Sequence, residues 1–322
     1  MPDLSRRDLL KLGGLLALNF ALPSLSAETL ADGLGNLAKG KVRVLWLQAQ
    51  SCSGCSVSLL NSDNPDIVEV LTDILSLGFH QTVSTATGDT AMATIRKIGE
   101  GPDPFILVIE GSIPISMPEA CIIGGQTFAD LALPLLRKAK YVIGVGTCAA
   151  YGGIPAAEGN PTGASSVWKF MTTHGIPTDK ILVNCPSCPI HPDSIVGTLA
   201  YLAGKGYPAV HPKLLTPTMF FAHSTHDDCP RFHYYSKKIF AKDFGDDVGC
   251  LFKLGCLGML SYTECPRRQW NGGANWCIRA SAPCIGCSHP QFGKLKAFPF
   301  YRKNEGNGVT SVPEAERMGG QP

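Results

Sequence analysis

The apolar positions of the chain predict alternating strands and helices up to about residue 212. Four short apolar runs have the length and composition of buried strands: residues 42–47, 105–109, 141–145 and 180–183. Four other segments carry apolar residues at helical spacing: residues 66–77, 128–138, 166–173 and 193–203. Repeated strand–helix units are typical of a parallel sheet covered by helices on both faces. We therefore expect an α/β domain over residues 41–212.

The regular pattern fades after about Thr216. Seven of the thirteen cysteines lie within residues 229–287, in a stretch with little periodicity. So short and irregular a segment has little core of its own, and bound metal can supply the missing stability. We predict an irregular, cluster-binding domain over residues 216–302. Residues 303–322 are polar and contain Gly and Pro, which predicts a loosely ordered tail.

Four cysteines of the first domain follow predicted strands. Cys52 and Cys55 come after the first strand, Cys148 after the third and Cys188 after the fourth. Because sites in parallel sheets form just beyond the carboxyl ends of the strands, we expect these side chains to converge. The pattern therefore favours one shared site.

Eleven cysteines and one histidine can be sorted into three sets of four potential ligands. The first set is Cys52, Cys55, Cys148 and Cys188; the second set is His226, Cys229, Cys250 and Cys256; the third set is Cys265, Cys277, Cys284 and Cys287. Four soft ligands are what a cubane iron–sulfur cluster needs. Three such sites in one chain predict a relay for electrons, with the bond-breaking chemistry on a partner.

Other interpretations of these cysteines remain open. The C-x-x-C pair of Cys52 and Cys55 also suits a thioredoxin-like redox pair or half of a zinc site. Zinc is compatible with the spacing of the third set as well, and disulfides are an alternative in an exported protein. Iron–sulfur clusters are favoured because they account for all three sets at once.

Spacing also decides between neighbouring ligand candidates. Cys188-Pro189 resembles the Cys-Pro ending of ferredoxin cluster motifs, whereas Cys185 ends the fourth predicted strand, so Cys188 is favoured as the ligand. Cys185 and Cys121 are then interpreted as small buried apolar residues. His226 is favoured over His223 because it begins an H-x-x-C pair.

Neither a nucleophile–base pair nor a phosphate-binding loop stands out, so we assign no catalytic residue to this chain. Glu110 and Glu158 lie near strand ends and are candidates for proton carriage, although carboxylates there are more often solvated or structural. A net charge of +2 gives no electrostatic case for nucleic acid. Only 17% of residues are charged, which predicts that an obligate partner covers part of the surface.

The N-terminus has the features of a twin-arginine signal peptide. Arg6 and Arg7 precede an apolar run over residues 12–22, and small residues follow as far as Ala27. That route exports proteins already folded, as cofactor insertion in the cytoplasm requires. We expect residues 1–27 to be a signal and the mature chain to work in the periplasm. A buried N-terminal helix is the alternative, and no later run is apolar enough to predict a membrane span.

Six motifs together resemble the small subunit of periplasmic nickel–iron hydrogenases. They are Cys52-Ser53-Gly54-Cys55-Ser56, Glu110-Gly111-Ser112-Ile113-Pro114, Gly146-Thr147-Cys148-Ala149-Ala150-Tyr151-Gly152-Gly153, Cys188-Pro189-Ile190-His191-Pro192, His226-Asp227-Asp228-Cys229-Pro230 and Pro283-Cys284-Ile285-Gly286-Cys287. The resemblance runs from the signal to about Tyr301. It implies a flavodoxin-like first domain, followed by the cluster-binding domain, and a large partner subunit that holds the nickel–iron centre.

The resemblance also implies three four-iron (4Fe–4S) clusters. The first set would bind the proximal cluster, nearest the nickel–iron centre. The third set would bind the medial cluster, and the second set would bind the distal cluster at the surface. Electrons would then pass between the large subunit and an external redox partner.

Departures from the common family pattern refine this expectation. Cys277 stands where many members have proline, which implies a four-iron medial cluster, as in the selenium-containing branch. Val57 stands where glutamate is usual, and it indicates the same branch. Gly54 and Gly153 match the positions of two extra proximal cysteines in some oxygen-tolerant members. We therefore expect an ordinary four-iron proximal cluster, without the oxygen-tolerance device that those cysteines provide. The C-terminal membrane helix of some members has no counterpart, which favours a soluble partner such as a periplasmic cytochrome c.

Overall fold

The computed structural model describes residues 31–32, 35, 42–63, 65–71 and 76–293. The predicted signal (1–27) and the predicted tail (303–322) lie outside these ranges, as does the end of the predicted second domain. No helix within the described ranges is long and apolar enough to cross a membrane.

A five-stranded parallel sheet forms the centre of the first part of the chain. Its strands lie in the order β2-β1-β3-β7-β9, with bounds β1 Arg43–Gln48, β2 Leu77–His80, β3 Phe105–Glu110, β7 Tyr141–Val145 and β9 Leu182–Cys185. Numbered within this sheet alone, the order is 2-1-3-4-5, which is that of flavodoxin-like doubly wound folds. The predicted α/β class is confirmed.

Four two-residue strands form two small antiparallel ribbons outside the sheet. They are β4 (Ile113–Pro114) with β8 (Ala164–Ser165), and β5 (Ile122–Ile123) with β6 (Gln126–Thr127). The first ribbon follows the end of β3 and so extends the edge of the sheet at which the first set lies.

Helices connect the strands and continue into the second part of the chain. The α-helices are α1 (Gly54–Leu60), α2 (Ile67–Glu69), α3 (Gly88–Glu100), α4 (Phe128–Lys138), α5 (Gly146–Tyr151), α6 (Val167–Thr173), α7 (Pro192–Gly204), α8 (Thr218–Phe221), α9 (Phe232–Ser236) and α10 (Cys265–Arg268). Short 3₁₀ turns occupy Pro118–Ala120, Ile154–Ala156, Leu251–Leu254 and Gly258–Leu260.

Successive residues of the central strands enter two cores, one on each face of the sheet. On β1, Val44 and Trp46 belong to one core, and Leu45 and Leu47 belong to the other. Helices α1, α7 and α8 contribute to the first core, and α3, α4 and α6 contribute to the second. Burial on both faces explains why the strands are continuous apolar runs in the sequence. Cys185 ends β9 in the first core with no exposed surface.

Local side-chain caps fix where two of the predicted helices begin. The Thr127 hydroxyl accepts a hydrogen bond from the backbone N–H of Asp130, so α4 begins at Phe128. The Ser166 hydroxyl accepts one from the backbone N–H of Lys169, so α6 begins one residue later than predicted. Each cap satisfies a helix donor that would otherwise lack a partner.

The region between β1 and β3 differs from the prediction. The helix expected over residues 66–77 is only α2 with a continuation to residue 71, residues 72–75 lie outside the described ranges, and Leu77 begins β2. Neither β2 nor α3 was predicted. Strand β2 has only four residues, including a glycine and a histidine, and lies at the edge of the sheet. Such strands leave little apolar signal.

Residues 216–293 form a less regular second part with a small core. That core has six buried members, Ala241, Leu251, Leu254, Trp276, Ile278 and Cys284. Helices there are at most five residues long. Much of the order in this part therefore comes from loops and from contacts with the first part.

A buried ion triad ties the two parts together. Arg268, on α10, lies 3.0 Å from Asp193 on α7 and 2.5 Å from Glu264, and its side chain is 8% exposed. Its guanidinium also lies 5.7 Å from the ring centre of Phe220. The neighbouring Arg267 is 51% exposed and pairs with Asp228.

We expect Arg268→Ala to loosen this junction strongly, because it leaves two half-buried carboxylates without their cation. Loss of one partner from a buried pair costs about 3 kcal/mol or more, whereas an exposed pair contributes less than about 1 kcal/mol. Hydrogen exchange of backbone amides in residues 216–293 measures the opening free energy. Arg267→Ala is the matched control, and equal effects of the two changes would contradict this role of Arg268.

Candidate metal centres

The first set gathers at the carboxyl edge of the sheet, around the point where the strand order reverses. Cys52 lies in the loop after β1, Cys55 in α1, Cys148 in α5 and Cys188 after β9. All four line one cavity of about 70 Å³. The thiolates of Cys148 and Cys52 both raise the pKa of Cys188 by repulsion, so these sulfurs lie close together.

Two glycines leave room for these sulfurs. Gly146 has a φ of +80° and Gly153 a φ of +57°, both in the left-handed region that favours glycine. A Cβ atom on Gly146 would lie 2.5 Å from the Cys55 Sγ, and one on Gly153 would lie 2.7 Å from the Cys148 Sγ. The backbone at these two glycines therefore approaches the cysteine sulfurs more closely than a residue with a Cβ atom would allow.

Burial makes free thiolates unfavourable in this cavity. It is the main cause that raises the pKa of Cys148 to about 11 and that of Cys188 to about 12. Burial followed by the charge of Glu110 raises the pKa of Cys55 well above its usual value. Thiolates here need nearby cations, which iron would supply, because metal binding deprotonates its thiol ligands.

Glu110 holds the ligand loop and was not recognised in that role from the sequence. It ends β3 and is only 2% exposed. Its carboxylate accepts hydrogen bonds from the backbone N–H of Cys55 (3.1 Å), the Ser51 hydroxyl (3.0 Å), the Ser56 hydroxyl (2.5 Å) and the Trp46 indole N–H (3.1 Å). The strand end made Glu110 a candidate, but nothing in the sequence indicated these partners. Glu158, by contrast, is exposed.

The third set surrounds Cys287. The charge of Cys287 raises the pKa of Cys265, Cys277 and Cys284, and Cys265 and Cys277 also repel each other. Burial is the larger cause for all three, and the pKa of Cys265 reaches about 12. Cys277 thus lies with the other three cysteines.

Hydroxyl groups face the sulfurs of the third set. Thr263 donates to the Cys265 Sγ at 3.1 Å, and the Ser261 hydroxyl lies 3.3 Å from the Cys284 Sγ. Hydrogen bonds to ligand sulfur are one of the ways in which proteins set cluster potentials.

The second set lies in the loops after α8 and on either side of α9. Burial, followed by the charges of Cys250 and Cys229, raises the pKa of Cys256 to about 12. The backbone N–H of Cys229 donates a hydrogen bond to the carbonyl of His226 (3.1 Å), which places His226 beside these cysteines. Gly258 lies between Cys256 and His226. A Cβ atom on Gly258 would be 3.6 Å from the Cys256 Sγ and 3.7 Å from the backbone nitrogen of His226.

The Nε2 atom of His226 is buried and has no hydrogen-bond partner. Burial lowers the pKa of this imidazole, which favours its neutral form, against the opposite effect of Asp227. A neutral imidazole with a buried lone pair or N–H and no partner is costly unless it binds something. His226 therefore has the state that a metal ligand requires.

The third set contacts both of the other sets. The first and third sets meet where the charge of Cys287 raises the pKa of Cys188 and the Ser187 hydroxyl lies 3.3 Å from the Cys287 Sγ. The third and second sets meet where Cys256 raises the pKa of Cys284. The backbone N–H of Leu257 also donates to the Cys284 carbonyl at 2.8 Å. The third set is therefore in the middle.

All thirteen cysteines are free of disulfides. Within the described ranges, no three His, Cys, Asp or Glu side chains are arranged to hold a single metal ion. The ligands of a cubane bind separate irons at its corners, so they stand farther apart than the ligands of one ion. Cys121 lies outside the three sets, against the second core.

Sequence profiles of two families match the chain. Residues 52–202 match the family described as "NADH ubiquinone oxidoreductase, 20 Kd subunit", and residues 221–301 match the C-terminal family of the "NiFe/NiFeSe hydrogenase small subunit". The periplasmic NiFeSe hydrogenase small subunit of Desulfomicrobium baculatum is 40% identical over 317 residues, covering 93% of this chain and 99% of that protein. The chain belongs to the NiFe/NiFeSe hydrogenase small subunits.

Other relatives agree with this family. The periplasmic NiFe hydrogenase small subunit 1 of Nitratidesulfovibrio vulgaris Hildenborough is 35% identical, over 92% of this chain and 93% of that one. The reduced, active NiFeSe hydrogenase of Desulfomicrobium baculatum superposes with a TM-score of 0.76 at 40% identity, over 82% of this chain and 99% of that chain. The oxidised recombinant NiFeSe hydrogenase of Desulfovibrio vulgaris Hildenborough gives a TM-score of 0.75 at 42% identity, over 81% and 97%.

The hydrogenase small subunits are a family of iron–sulfur electron-transfer subunits. The residues of this chain fit iron–sulfur clusters. The donors are thiols and one imidazole, which are the ligands that iron–sulfur clusters use. Bound clusters would account for the cavity of the first set, for the close glycines beside it and for the unpartnered Nε2 of His226.

We expect Gly146→Ala to prevent the first set from binding its cluster, because the new methyl group would occupy the space of the Cys55 sulfur. Iron and acid-labile sulfide should each fall by about four per small subunit in the purified hydrogenase. Gly175→Ala is the matched control, since Gly175 has a φ of +64° and nothing within 4 Å of a built Cβ. Both changes impose the left-handed strain of about 1 kcal/mol. Equal metal content in the two variants would contradict the assignment.

Proposed function

We propose that this chain is the electron-transfer small subunit of a heterodimeric NiFe or NiFeSe hydrogenase. The large subunit would carry the nickel–iron centre, at which hydrogen is split into two protons and two electrons or formed from them. This chain would connect that centre to an external electron carrier. When bound, three four-iron clusters supply sites that accept and release single electrons.

The linear order of the three sets is the observation that carries this proposal. Each set shares an electrostatic contact with the next, through Cys188 and Cys287 and then through Cys284 and Cys256. A protein that held clusters only for stability would need no such continuity between them.

The ligand assignment follows the three sets. Cys52, Cys55, Cys148 and Cys188 would hold the proximal cluster; Cys265, Cys277, Cys284 and Cys287 the medial cluster; His226, Cys229, Cys250 and Cys256 the distal cluster. The proximity of Cys277 to Cys287 and Cys265 supports a fourth thiolate for the medial cluster.

Exposed apolar side chains beside the first set support its position next to the large subunit. Val57 (51% exposed) and Leu60 lie on α1 just after Cys55, and Ile154 follows Cys148. Ile115 and Met117, also exposed, lie beyond the end of β3. Apolar surface of this kind is typical of permanent subunit interfaces. The large subunit would therefore cover this edge of the sheet.

We further propose that the chain works in the periplasm after export by the twin-arginine route. Its relatives from Desulfomicrobium baculatum and Nitratidesulfovibrio vulgaris are named periplasmic. A periplasmic cytochrome c or a similar protein would then be the external electron carrier, approaching the second set.

We expect His226→Ala to slow electron exit more than chemistry at the nickel–iron centre, because the second set would lose one ligand while the first set stays intact. Hydrogen-dependent reduction of an external cytochrome c should fall by about tenfold or more, as when groups that support a metal site are removed. Hydrogen–deuterium exchange by the same heterodimer reports on the nickel–iron centre.

The control for this variant is His223→Ala, which removes an exposed histidine three residues away. It should leave both rates close to those of the parent protein. If His226→Ala lowered exchange and cytochrome reduction equally, or if His223→Ala had the larger effect, the exit role of His226 would be wrong.

A further inference from the structure

Ser187 is the residue at which the ligand loop of the first set meets the third set. It directly precedes the ligand Cys188. It lines the cavity of the first set, and it also lines a small second cavity together with Cys265 of the third set. Ser187 is only 4% exposed. Its side chain therefore lies between two ligand sets and is shielded from solvent.

The hydroxyl of Ser187 faces a ligand sulfur. Its oxygen lies 3.3 Å from the Sγ of Cys287. A neutral thiol could donate or accept a hydrogen bond at this distance, but a metal-bound thiolate has no proton and can only accept one. With a cluster bound to the third set, the Ser187 hydroxyl must therefore be the donor.

The backbone of Ser187 has a conformation that glycine adopts more easily than serine. Its φ is +143°, in a region where a Cβ atom causes strain. Residues in strained conformations cluster at functional sites, where the surrounding structure holds them in place. Because the serine side chain consists only of a Cβ atom and a hydroxyl, the hydroxyl is the group whose interactions can offset the strain.

Thr147 holds Ser187 in this conformation. The backbone N–H of Thr147 donates to the Ser187 carbonyl at 3.0 Å, and the backbone N–H of Ser187 donates to the Thr147 hydroxyl at 2.9 Å. The Thr147 hydroxyl in turn donates to the backbone carbonyl of Cys287. Thr147 is 1% exposed and directly precedes the ligand Cys148. The backbone of Ser187 is thus fixed relative to Cys287.

Two other hydroxyls have the same relation to the third set. Thr263 donates to the Cys265 Sγ at 3.1 Å, and the Ser261 hydroxyl lies 3.3 Å from the Cys284 Sγ. With Ser187, three of the four sulfurs of this set have a hydroxyl neighbour. In the part of the chain that the structure describes, no hydroxyl is hydrogen-bonded to a sulfur of the first or second set. Hydroxyl contacts therefore distinguish the third set from the other two.

We propose that the Ser187 hydroxyl donates a hydrogen bond to the Cys287 thiolate and thereby raises the reduction potential of the cluster held by the third set. An added electron makes the cluster and its sulfurs more negative, so this hydrogen bond stabilises the reduced state more than the oxidised state. Four thiolate ligands lower the potential of the cluster, and the hydroxyl opposes that effect. This inference rests on the proposed function and adds a residue that sets the energy of the middle electron carrier.

Ser187→Ala and Ser187→Gly in the intact heterodimer separate the hydroxyl from the backbone strain. Both changes remove the hydroxyl, but only glycine relieves the strain. At a fixed potential, the ratio of reduced to oxidised medial cluster should fall about tenfold in both variants, which is a shift of about 59 mV for a one-electron couple. Potentiometric titration followed by EPR spectroscopy measures this ratio. The distal cluster should keep its potential.

Two further variants calibrate this result. Thr263→Val removes the hydroxyl that contacts the Cys265 Sγ, so it should shift the medial potential in the same direction. Ser194→Ala is the matched control. Ser194 is 5% exposed and lines the same small cavity as Ser187, but no hydrogen bond within the described ranges joins it to a sulfur. Ser194→Ala should therefore leave the medial potential unchanged.

Isotope exchange reports on the hydrogen bond itself. Deuterium ENDOR spectra of the reduced medial cluster, recorded in heavy water, should contain a coupling that is lost in both Ser187 variants and kept in Ser194→Ala. Unchanged spectra in the Ser187 variants would overturn the proposal. Loss of the cluster in Ser187→Gly would also contradict it, because glycine suits this backbone and the hydroxyl is assigned to tuning the cluster, not to binding it.

The same titrations distinguish failure of this inference from failure of the proposed function. If hydrogen reduces all three clusters in the parent and in the Ser187 variants, and the medial potential is the same in each, the role of Ser187 is wrong and the proposed function stands. A potential that shifts in Ser187→Ala but not in Ser187→Gly would assign the effect to strain and overturn the role of the hydroxyl. A parent heterodimer whose third set holds no cluster would overturn both proposals.

Discussion

Burial of sulfur beside other sulfur is the constraint on which this structure depends. Desolvation, together with repulsion from neighbouring thiolates, raises the pKa of Cys188, Cys256 and Cys265 to about 12. Without a cation, these groups would remain neutral thiols, held close together in cavities or in loops with little apolar core. Bound iron would resolve the conflict, because it stabilises thiolates in the geometry that repulsion otherwise opposes. Folding of residues 216–293 would then be coupled to metal binding.

The two parts of the chain meet this constraint in different ways. In the first part, a parallel sheet with two cores positions the ligands, and Glu110 holds the loop between β1 and α1 through hydrogen bonds to backbone and side chains. The cavity is therefore largely built by protein packing. In the second part, the core has only six buried members and the helices are short. There the ligand sets themselves, together with the Arg268 triad, must hold the loops in place.

The sequence was sufficient for the parts of the structure that follow simple periodic rules. Strands β1, β3, β7 and β9 were predicted because burial on both faces makes them apolar throughout, and the position of cysteines after those strands predicted their convergence. The edge strand β2 and helix α3 were missed. The apolar residues of α3, which include Met92 and Ile95, are separated by threonines, and the helix begins at Gly88 without a clear start signal. The role of Glu110 depends on partners up to 64 residues away, which no local pattern reveals. The linear order of the three sets was implied only by family resemblance, because irregular loops carry no register from which to infer it.

Acid-labile sulfide in the anaerobically purified heterodimer tests the central claim most directly. In the proposed arrangement the nickel–iron centre adds no such sulfide, so the count reports on this chain. Three cubane clusters predict about twelve sulfides per heterodimer, with Mössbauer spectra that contain only four-iron clusters besides the iron of the nickel–iron centre. A preparation that is active with hydrogen but contains little or no acid-labile sulfide would contradict the account, because the three sets would then hold no clusters.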